Sequence, residues 1–468
     1  MKKDIFSHRL LASRIKSEEV QNSERIFGYF IGPCLVSIVS MALFGSYLIQ
    51  FYTDVLSLTG GVLAWLPLTS NVIGGLMGLL VGGWIDRTRT VQGKAHPWLL
   101  LSALLMPLSG LLLYNVPATH VRLQSAWVIV SYIFYFGIVG AFNTLSHSLL
   151  IPLSTRNVEQ RDRLVLLSST ASSMIPGCLN TFVLPCAIRA IGIGTKALKN
   201  WRTVMSLLAL LLLPAILLEY YFTRERITEQ PKPKTEQADF LRRLNACFTN
   251  RQWLLLLLFM VSQSFFSAFF SSSTIYYCNW ILCDSVYRGT EIQVLVHMAQ
   301  APMAFGMFLI WPAARRFGKH RTAWFGYLLA AFGSLIMLLS SGDLNRTLIG
   351  LFIRSLGTTA NFLNTSFQAE ALDAIETRSG FRADGFSFSV IGIFQSAFTG
   401  IAQTIVLSGL GTFGYIAPHS VAEVIIQPQC LQSFLSLCFA GLPILGFLIC
   451  AAVMFTQWKH SSKHRKYK

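Results

Sequence analysis

Charge is scarce in this sequence. Only 13% of its 468 residues are Asp, Glu, Lys or Arg, whereas 53% are hydrophobic. A soluble protein of this length carries about twice that share of charged residues, because they cover its surface. The composition therefore excludes a soluble globular protein and favours a chain that contacts lipid over much of its surface.

Signals for catalysis and for metal binding are missing as well. The nine cysteines show no metal-ligand spacing. The sequence contains no P-loop and no nucleophile elbow, the sharp turn that presents the serine of many hydrolases. We therefore expect no enzymatic activity, no cofactor and no bound metal ion.

Long apolar runs dominate what is present. A helix of about twenty apolar residues crosses the hydrocarbon core of a bilayer, which is about 30 Å thick. The sequence predicts twelve such helices, at approximately 26–52, 61–85, 97–115, 123–151, 164–192, 200–222, 252–282, 291–314, 322–342, 346–369, 385–410 and 431–456.

Basic residues give the orientation of these helices. If the amino terminus is cytoplasmic, the segments on that side hold 30 of the 38 Lys and Arg residues, and the outer loops hold seven. The positive-inside rule then predicts that both termini are cytoplasmic. The net charge of +17 is spread over seven cytoplasmic segments, so we expect contact with anionic membrane lipid and no nucleic-acid binding.

One long hydrophilic stretch interrupts the series and divides the helices six and six. Two six-helix bundles around a central site are typical of the major facilitator fold. We therefore predict an all-α membrane protein with twelve transmembrane helices. Its parts are a cytoplasmic amino-terminal segment (1–25), an N-terminal bundle (26–222), a cytoplasmic linker (223–251), a C-terminal bundle (252–456) and a basic cytoplasmic tail (457–468).

Three stretches carry a more specific signal. They are GGWIDRTRTVQGKAHPWLL (82–100), AEALDAIETRSGFRADGFSFS (369–389) and FYTDVLSL (51–58). The first resembles the signature between helices 2 and 3 of the glycoside–pentoside–hexuronide transporters, to which the melibiose permeases belong. The second resembles the signature between their helices 10 and 11, and the third resembles the end of their first helix.

This resemblance implies a secondary transporter that usually moves a sugar together with Na⁺, H⁺ or Li⁺. It also implies a departure from the family. The two helix-2 carboxylates that bind the coupling cation fall on Gly74 and Gly78, and the helix-11 lysine falls on Ser396. We therefore expect the family's cation site to be lost.

The two long motifs place opposite charges at the cytoplasmic ends of helices. We predict that they form a gate whose acidic and basic groups approach each other when the transporter is open to the outside. The gate residues are Asp86, Arg87, Arg89, Arg161, Arg163, Glu370, Asp373, Arg382 and Asp384.

Polar side chains within the apolar runs are the candidates for solute binding. At 100° per residue, Arg354, Asn361 and Asn364 share one helical face. The same residues have structural alternatives, because polar stripes also join neighbouring helices. Arg354 can instead pair with Asp54 or Glu423, and His147 can be a packing residue. The full candidate set is Tyr132, Asn143, His147, Gln263, Thr274, Tyr277, Gln300, Arg354, Asn361 and Asn364.

These observations favour a multi-pass transporter of the cell (inner) membrane that moves a small polar solute by alternating access. The resemblance implies a sugar-like solute, and Arg354 favours an anionic one. Three alternatives stay open: an uncoupled facilitator or exchanger of an organic anion, a carrier of amphiphiles such as lysolipids, and a non-transporting sensor on the same fold. We expect a monomer.

Overall fold

The computed structural model describes residues 13–15, 17, 19–56, 58, 61–117, 120–155, 157–177, 179, 187, 190–192, 197–226, 245, 247–340, 342–379 and 384–465. These residues are almost entirely helical, and they contain one isolated β-bridge, between Thr90 and Gly93. The chain divides into two compact units. The first comprises Met1–Pro231 with Ala417–Val421, and the second comprises Lys232–Ile416 with Ala422–Lys468.

Long apolar segments form the helices of the first unit. Several of them contain a short π-helical segment, in which the backbone hydrogen bonds run over five residues and locally change the helical period. The π-helical segments are Glu24–Ile31, Phe51–Val55, Ile133–Val139 and Thr170–Met174. The α-helices are α1 (Gly32–Phe44), α2 (Ser46–Gln50), α3 (Gly61–Arg87), α4 (His96–Tyr114), α5 (Val121–Tyr132), α6 (Gly140–Ser154), α7 (Val158–Ser169) and α8 (Leu198–Phe222).

The second unit is also built from helices, and side-chain caps start two of them. Asn250 accepts hydrogen bonds from the first turn of α9, and Asp343 does the same for α14. The helices are α9 (Arg251–Trp280), α10 (Val286–Ala299), α11 (Ala301–Ala304), α12 (Gly306–Phe317), α13 (Lys319–Leu339), α14 (Leu344–Thr358), α15 (Asn364–Ser379), α16 (Asp384–Thr412), α17 (Gln429–Ser436) and α18 (Leu442–Arg465), with a 3₁₀ turn at Thr359–Leu363 and a π-helical segment at Leu437–Gly441.

Nine helical segments of the described residues are long and apolar enough to cross a membrane. They coincide with nine of the twelve predicted helices. Of the other three, 164–192 is described only in part, at 164–177, 179, 187 and 190–192. The predicted helix 291–314 is interrupted between α10 and α12, and 346–369 is divided by the 3₁₀ turn. The count of twelve stays a prediction. The nine segments are Glu24–Val55, Trp65–Ile85, His96–Tyr114, Arg122–Ser154, Leu198–Phe222, Arg251–Trp280, Lys319–Leu339, Val390–Thr412 and Gln429–Gln457.

Glycines hold α13 and α14 together at backbone distance. A Cβ added at Gly350 would stand 2.7 Å from the carbonyl oxygen of Gly333. At a second contact between the same two helices, a Cβ at Gly326 would stand 2.9 Å from the carbonyl oxygen of Gly357. Small residues at such contacts let membrane helices approach closely, since apolar side chains gain little by leaving lipid. This contact fixes the helix that carries Arg354.

Candidate functional site

Four polar side chains of the second unit form a hydrogen-bonded group, which we call the amide cluster (Gln263, Tyr327, Asn361 and Asn364). Gln263 Nε2 donates to Asn361 Oδ1 at 2.6 Å and to Tyr327 Oη at 3.3 Å. The Tyr327 hydroxyl donates to Asn361 Oδ1 at 3.1 Å, and Asn364 Nδ2 donates to Gln263 Oε1 at 2.7 Å. Sequence reasoning named three of the four and missed Tyr327, although His320, Tyr327 and Ser334 recur every seven residues on α13.

One acceptor of the amide cluster has no partner within the described part of the chain. Asn364 Oδ1 is buried and receives no hydrogen bond. An unsatisfied buried acceptor costs about 1–3 kcal/mol. The amide cluster is therefore suited to accept a further donor, such as a hydroxyl group of a solute.

Arg354 lies apart from the hydrogen bonds of the amide cluster. Its side chain is 6% exposed, and its guanidinium stands over the ring of Phe270, 3.5 Å from the centroid. Its Nε is buried without a hydrogen-bond partner, and no described carboxylate forms an ion pair with it. The alternative pairing with Glu423 of the same unit is therefore not seen, and the pairing with Asp54 stays untested. A cation held by aromatic faces keeps its donors available for an anion.

The shared face of Arg354, Asn361 and Asn364 stays a prediction, because the helical period changes within this stretch. The 3₁₀ turn Thr359–Leu363 lies between α14 and α15, and it advances about 120° per residue instead of 100°. Asn361 and Asn364 bond to Gln263, and Arg354 stands over Phe270. Gln263 and Phe270 are seven residues apart on α9, so they lie close to one face of that helix.

Three further candidates of the second unit are engaged locally. The Thr274 hydroxyl donates to the Phe270 carbonyl at 2.6 Å, and Gln300 Nε2 donates to the Val296 carbonyl at 3.2 Å. Tyr277 stacks on a phenylalanine ring of the last transmembrane segment, at 4.0 Å between centroids. None of the three bonds to the amide cluster.

In the first unit, the predicted stripe of Tyr132, Asn143 and His147 is divided. The π-helical segment Ile133–Val139 separates Tyr132 from the other two residues and changes the register between them. Tyr132 packs against Tyr52, with ring centroids 6.5 Å apart, while Asn143 Oδ1 accepts a hydrogen bond from a serine of α4.

His147 has a charged partner that the sequence did not indicate. Its Nδ1 lies 2.5 Å from Oε1 of Glu219, which is three residues from the end of α8. The imidazole is 30% exposed and the carboxylate is 3% exposed. Glu219 lies near the end of α8, but its carboxylate reaches back to α6. We call these two residues the His147–Glu219 pair.

The positions that the resemblance assigns to the family's cation site differ in the space around them. A Cβ at Gly74 would stand 2.7 Å from the carbonyl oxygen of Phe136, so this glycine lets α3 approach the π-helical segment. Around Gly78, no atom of the described residues lies within 4 Å of the position that a Cβ would take. Ser396 is half-buried on α16.

Of the predicted gate, Glu370 has described partners, and both belong to its own unit. Its Oε2 lies 3.0 Å from His320 Nε2, and its Oε1 lies 3.4 Å from Lys319 Nζ. Partial burial raises the pKa of Glu370, but these two bases outweigh that effect, and the carboxyl pKa is below its usual value.

The remaining gate residues leave the predicted acid–base contacts untested. Arg87, Arg89 and Arg163 are exposed, and Arg161 is half-buried. Outside the described residues lie Arg382 and the side chains of Asp86, Asp373 and Asp384.

A buried carboxylate also occupies the family motif between α3 and α4. Glu225 accepts hydrogen bonds from the backbone N–H groups of Lys94 (2.9 Å), Ala95 (2.9 Å) and His96 (2.8 Å), and from His96 Nδ1 (2.9 Å). Burial raises the pKa of Glu225, but the His96 ring and the backbone donors outweigh it, so the carboxyl pKa lies below its usual value. Sequence reasoning missed Glu225, because it assigned this residue to a linker.

A second buried ion pair fixes the same end of the first unit. Arg226 donates to both carboxylate oxygens of Glu24, at 3.0 and 2.7 Å. Glu24 is fully buried, and Arg226 also donates to the carbonyl oxygens of Ser17 and Glu19. A bidentate pair of this kind orders the chain on either side of it.

Comparison with known proteins identifies the family. The family described as MFS/sugar transport protein matches residues 28–457. The chain belongs to this family. It is thus a multi-pass transporter of the inner membrane and not an enzyme, in agreement with the resemblance to the glycoside–pentoside–hexuronide transporters.

Individual relatives cover nearly the whole chain. The isoprimeverose transporter of Lactiplantibacillus pentosus is 26% identical over 458 residues, covering 95% of this chain and 90% of the relative. The glucuronide carrier protein homolog of Escherichia coli is 23% identical over 436 residues, covering 91% of each. The crystal structure of a D-xylose–proton symporter is similar in fold, with a TM-score of 0.59 at 14% identity, covering 92% of this chain and 97% of that one.

Proposed function

We propose that this protein is a secondary transporter that moves a small hydroxylated solute by alternating access. Twelve transmembrane helices in two six-helix bundles, with both termini in the cytoplasm, are the arrangement that this proposal requires. The distribution of basic residues supports the orientation. The family match supports the transport mechanism.

The amide cluster is the observation that carries the solute assignment. Gln263, Asn361 and Asn364 supply amide donors and acceptors, and Asn364 Oδ1 has an acceptor site to spare among the described residues. Sugars present several neighbouring hydroxyl groups that both donate and accept hydrogen bonds. A group of part-buried amides matches this pattern better than it matches an apolar solute.

Arg354 favours a solute with an anionic group as a second candidate. Its guanidinium has no carboxylate partner among the described residues, and its Nε is unsatisfied. A carboxylate or sulfonate would satisfy these donors through paired hydrogen bonds. One relative is named as a glucuronide carrier homolog, and a glucuronide joins hydroxyl groups to one carboxylate.

Transport is proposed to be independent of Na⁺. A dehydrated Na⁺ requires anionic oxygen ligands, and glycine replaces the two carboxylates at Gly74 and Gly78. Close packing at Gly74 is a local reason for its lack of a side chain.

Equilibrium exchange in proteoliposomes tests the proposal. The full-length chain is reconstituted and exchange is measured with radiolabelled isoprimeverose, methyl β-D-glucuronide, methyl β-D-glucoside and lysophosphatidylcholine, with and without Na⁺. We expect exchange of a sugar without Na⁺, and a loss of about tenfold or more in affinity when Gln263 or Asn361 becomes alanine.

The matched control is Gln395→Ala. Gln395 bonds to Ser264 and to the Met260 carbonyl, away from the hydrogen bonds of the amide cluster, and its removal is expected to leave the sugar affinity unchanged. Exchange of the lysolipid alone would favour the amphiphile carrier, and binding without exchange would favour the sensor. A many-fold stimulation by Na⁺ would contradict the loss of the cation site.

A further inference from the structure

The His147–Glu219 pair joins two membrane-spanning helices of the first unit through ionisable groups. His147 lies seven residues before the end of α6, and Glu219 lies three residues before the end of α8. The other described ion pairs of this unit each have one member beyond the spanning segments, Glu225 in one case and Arg226 in the other. Ionisable groups within spanning helices are costly and mark functional sites.

The chemistry of the pair fits one exchangeable proton. Nδ1 of His147 faces the Glu219 carboxylate and keeps its hydrogen in both states. Proton binding forms an N–H bond at Nε2 with a proton taken from water, and release breaks that bond and returns the proton to water. The pair has a net charge of −1 when empty and zero when loaded, so a change of protonation alters the cost of burying it.

The two side chains of the pair differ in their exposed fraction. Glu219 is 3% exposed and cannot exchange a proton with water directly, whereas the imidazole is 30% exposed. An imidazolium is unfavourable against hydrocarbon, so the accessible edge of the ring has to face water. The imidazole is therefore the route by which the buried carboxylate gains or loses its counter-charge.

The described ionisable groups near the pair are held by a charged partner, exposed or half-buried. Tyr29 interacts electrostatically with Glu219, Glu24 and Arg226, but the last two neutralise each other. From α4, His96 is held by Glu225 and contacts the Thr223 hydroxyl, which donates to the Glu219 carbonyl. On α3 and α7, the described charged side chains are Arg87, Arg161 and Arg163, which are exposed or half-buried.

We infer that the His147–Glu219 pair is the site at which this transporter binds the proton that drives solute movement. The pair lies on α6 and α8, whereas the positions that the resemblance assigns to the family's cation site lie on α3 (Gly74 and Gly78) and on α16 (Ser396). It supplies a titrating group in a chain whose usual cation ligands are missing. The inference rests on the proposed function, because a driving proton requires a transported solute.

Histidine NMR tests the proton site without any solute. The full-length chain with ¹⁵N-labelled histidine is placed in lipid nanodiscs, and the His147 signal is assigned by its loss in His147→Gln. Near neutral pH, the protonated fraction of His147 is expected to fall about threefold or more in Glu219→Gln. An equal fraction in both proteins overturns the inference.

Two further variants keep this measurement decisive. If Glu219→Gln does not fold, Glu219→Asp replaces it, since the shorter side chain withdraws the carboxylate from Nδ1. Glu225→Gln is the matched control, because it breaks a similar His–Glu pair whose carboxylate lies beyond the spanning segments. It is expected to leave the His147 signal unchanged, and an equal change in this control overturns the specific role of Glu219.

A transport measurement then tests coupling. Proteoliposomes are given an inward proton gradient, and the internal level of isoprimeverose or methyl β-D-glucuronide is measured. This level is divided by the level that the same sugar reaches in equilibrium exchange. The ratio is expected to be about threefold or more above unity in the wild type and to fall to unity in Glu219→Gln and His147→Gln.

The two proposals fail in different ways. A wild-type protein that exchanges a sugar but shows no effect of the gradient overturns proton coupling and leaves the solute assignment standing. Exchange of neither sugar contradicts the solute assignment, and the NMR measurement then still decides whether the pair binds a proton.

Discussion

The carboxylate of Glu225 lies so close to the backbone of Gly93 that a Cβ at this glycine would overlap it. Gly93 also has a φ of +115°, a conformation that residues with side chains rarely adopt. The turn before α4 is therefore shaped to hold a carboxylate on the first N–H groups of the helix, where the helix dipole favours negative charge. The Gly-Lys of the family motif supplies this turn.

The Glu225 carboxylate should make stability depend on acidic pH. Its pKa is lowered in the folded protein from an ordinary value of 4.5, so its contribution is complete above that value and is lost as the pH falls through the lower folded value. At neutral pH, we expect the free energy of unfolding of Glu225→Gln to be about 2 kcal/mol lower than that of the wild type. The variant should also lose this part of the acid dependence.

Thermal unfolding in detergent at a series of pH values measures this effect. Glu19→Gln is the control, because the Glu19 side chain is exposed in the same unit. An acid dependence that is identical in wild type and Glu225→Gln would contradict the role of the carboxylate.

The contact between α13 and α14 should not tolerate a methyl group. In Gly350→Ala, the new Cβ would stand 2.7 Å from both the Gly333 carbonyl and the Met337 side chain, and relieving such overpacking costs about 1–3 kcal/mol. Gly392→Ala is the matched control, since nothing described lies within 4 Å of that Cβ position. Thermal unfolding should show a lower melting temperature for the first variant alone. Equal melting temperatures would mean that the helices separate at little cost.

The sequence predicted the continuous helices well, because each is one apolar run of nearly constant period. It was less informative where the period changes. The 3₁₀ turn Thr359–Leu363 and the π-helical segment Ile133–Val139 lie inside apolar runs. Nothing in their composition separates them from ordinary helix, so the sequence did not predict these changes of period.

The sequence also did not predict the pairs between residues that are far apart in the chain. His147 and Glu219 are 72 residues apart in sequence, and Glu225 is 129 residues from His96. A helical period places residues of one helix on a common face, but it contains no information on which other helix meets that face. The amide cluster was found in part because two of its members, Asn361 and Asn364, are near neighbours in sequence.

Gly74 and Gly78, which the resemblance assigns to the family's cation-binding carboxylates, should respond differently when a carboxylate is introduced. Gly78→Asp has open space among the described residues, so its expected cost is that of a carboxylate within a spanning helix. Gly74→Asp carries the same cost and would also place a side chain against the carbonyl of Phe136, so it should destabilise the first unit by about 2 kcal/mol or more beyond Gly78→Asp. Thermal unfolding of both variants compares them directly. The reverse order of stabilities would contradict the packing seen at Gly74.

Arg354 should decide between anionic and neutral solutes. Its guanidinium stands 3.5 Å from the Phe270 centroid with Nε unsatisfied, so a carboxylate on the solute would gain paired hydrogen bonds that a neutral sugar cannot make. We expect the wild type to bind methyl β-D-glucuronide about tenfold or more tightly than methyl β-D-glucoside. Arg354→Gln should abolish the preference while the protein stays folded. Arg354→Lys should keep only part of it, because a single ammonium does not reproduce the planar fork. Binding of both sugars to the three proteins by isothermal calorimetry measures the preference, and thermal unfolding checks the fold. Equal affinities in the wild type, or an unchanged preference in Arg354→Gln, would assign Arg354 to helix packing through its aromatic neighbours instead.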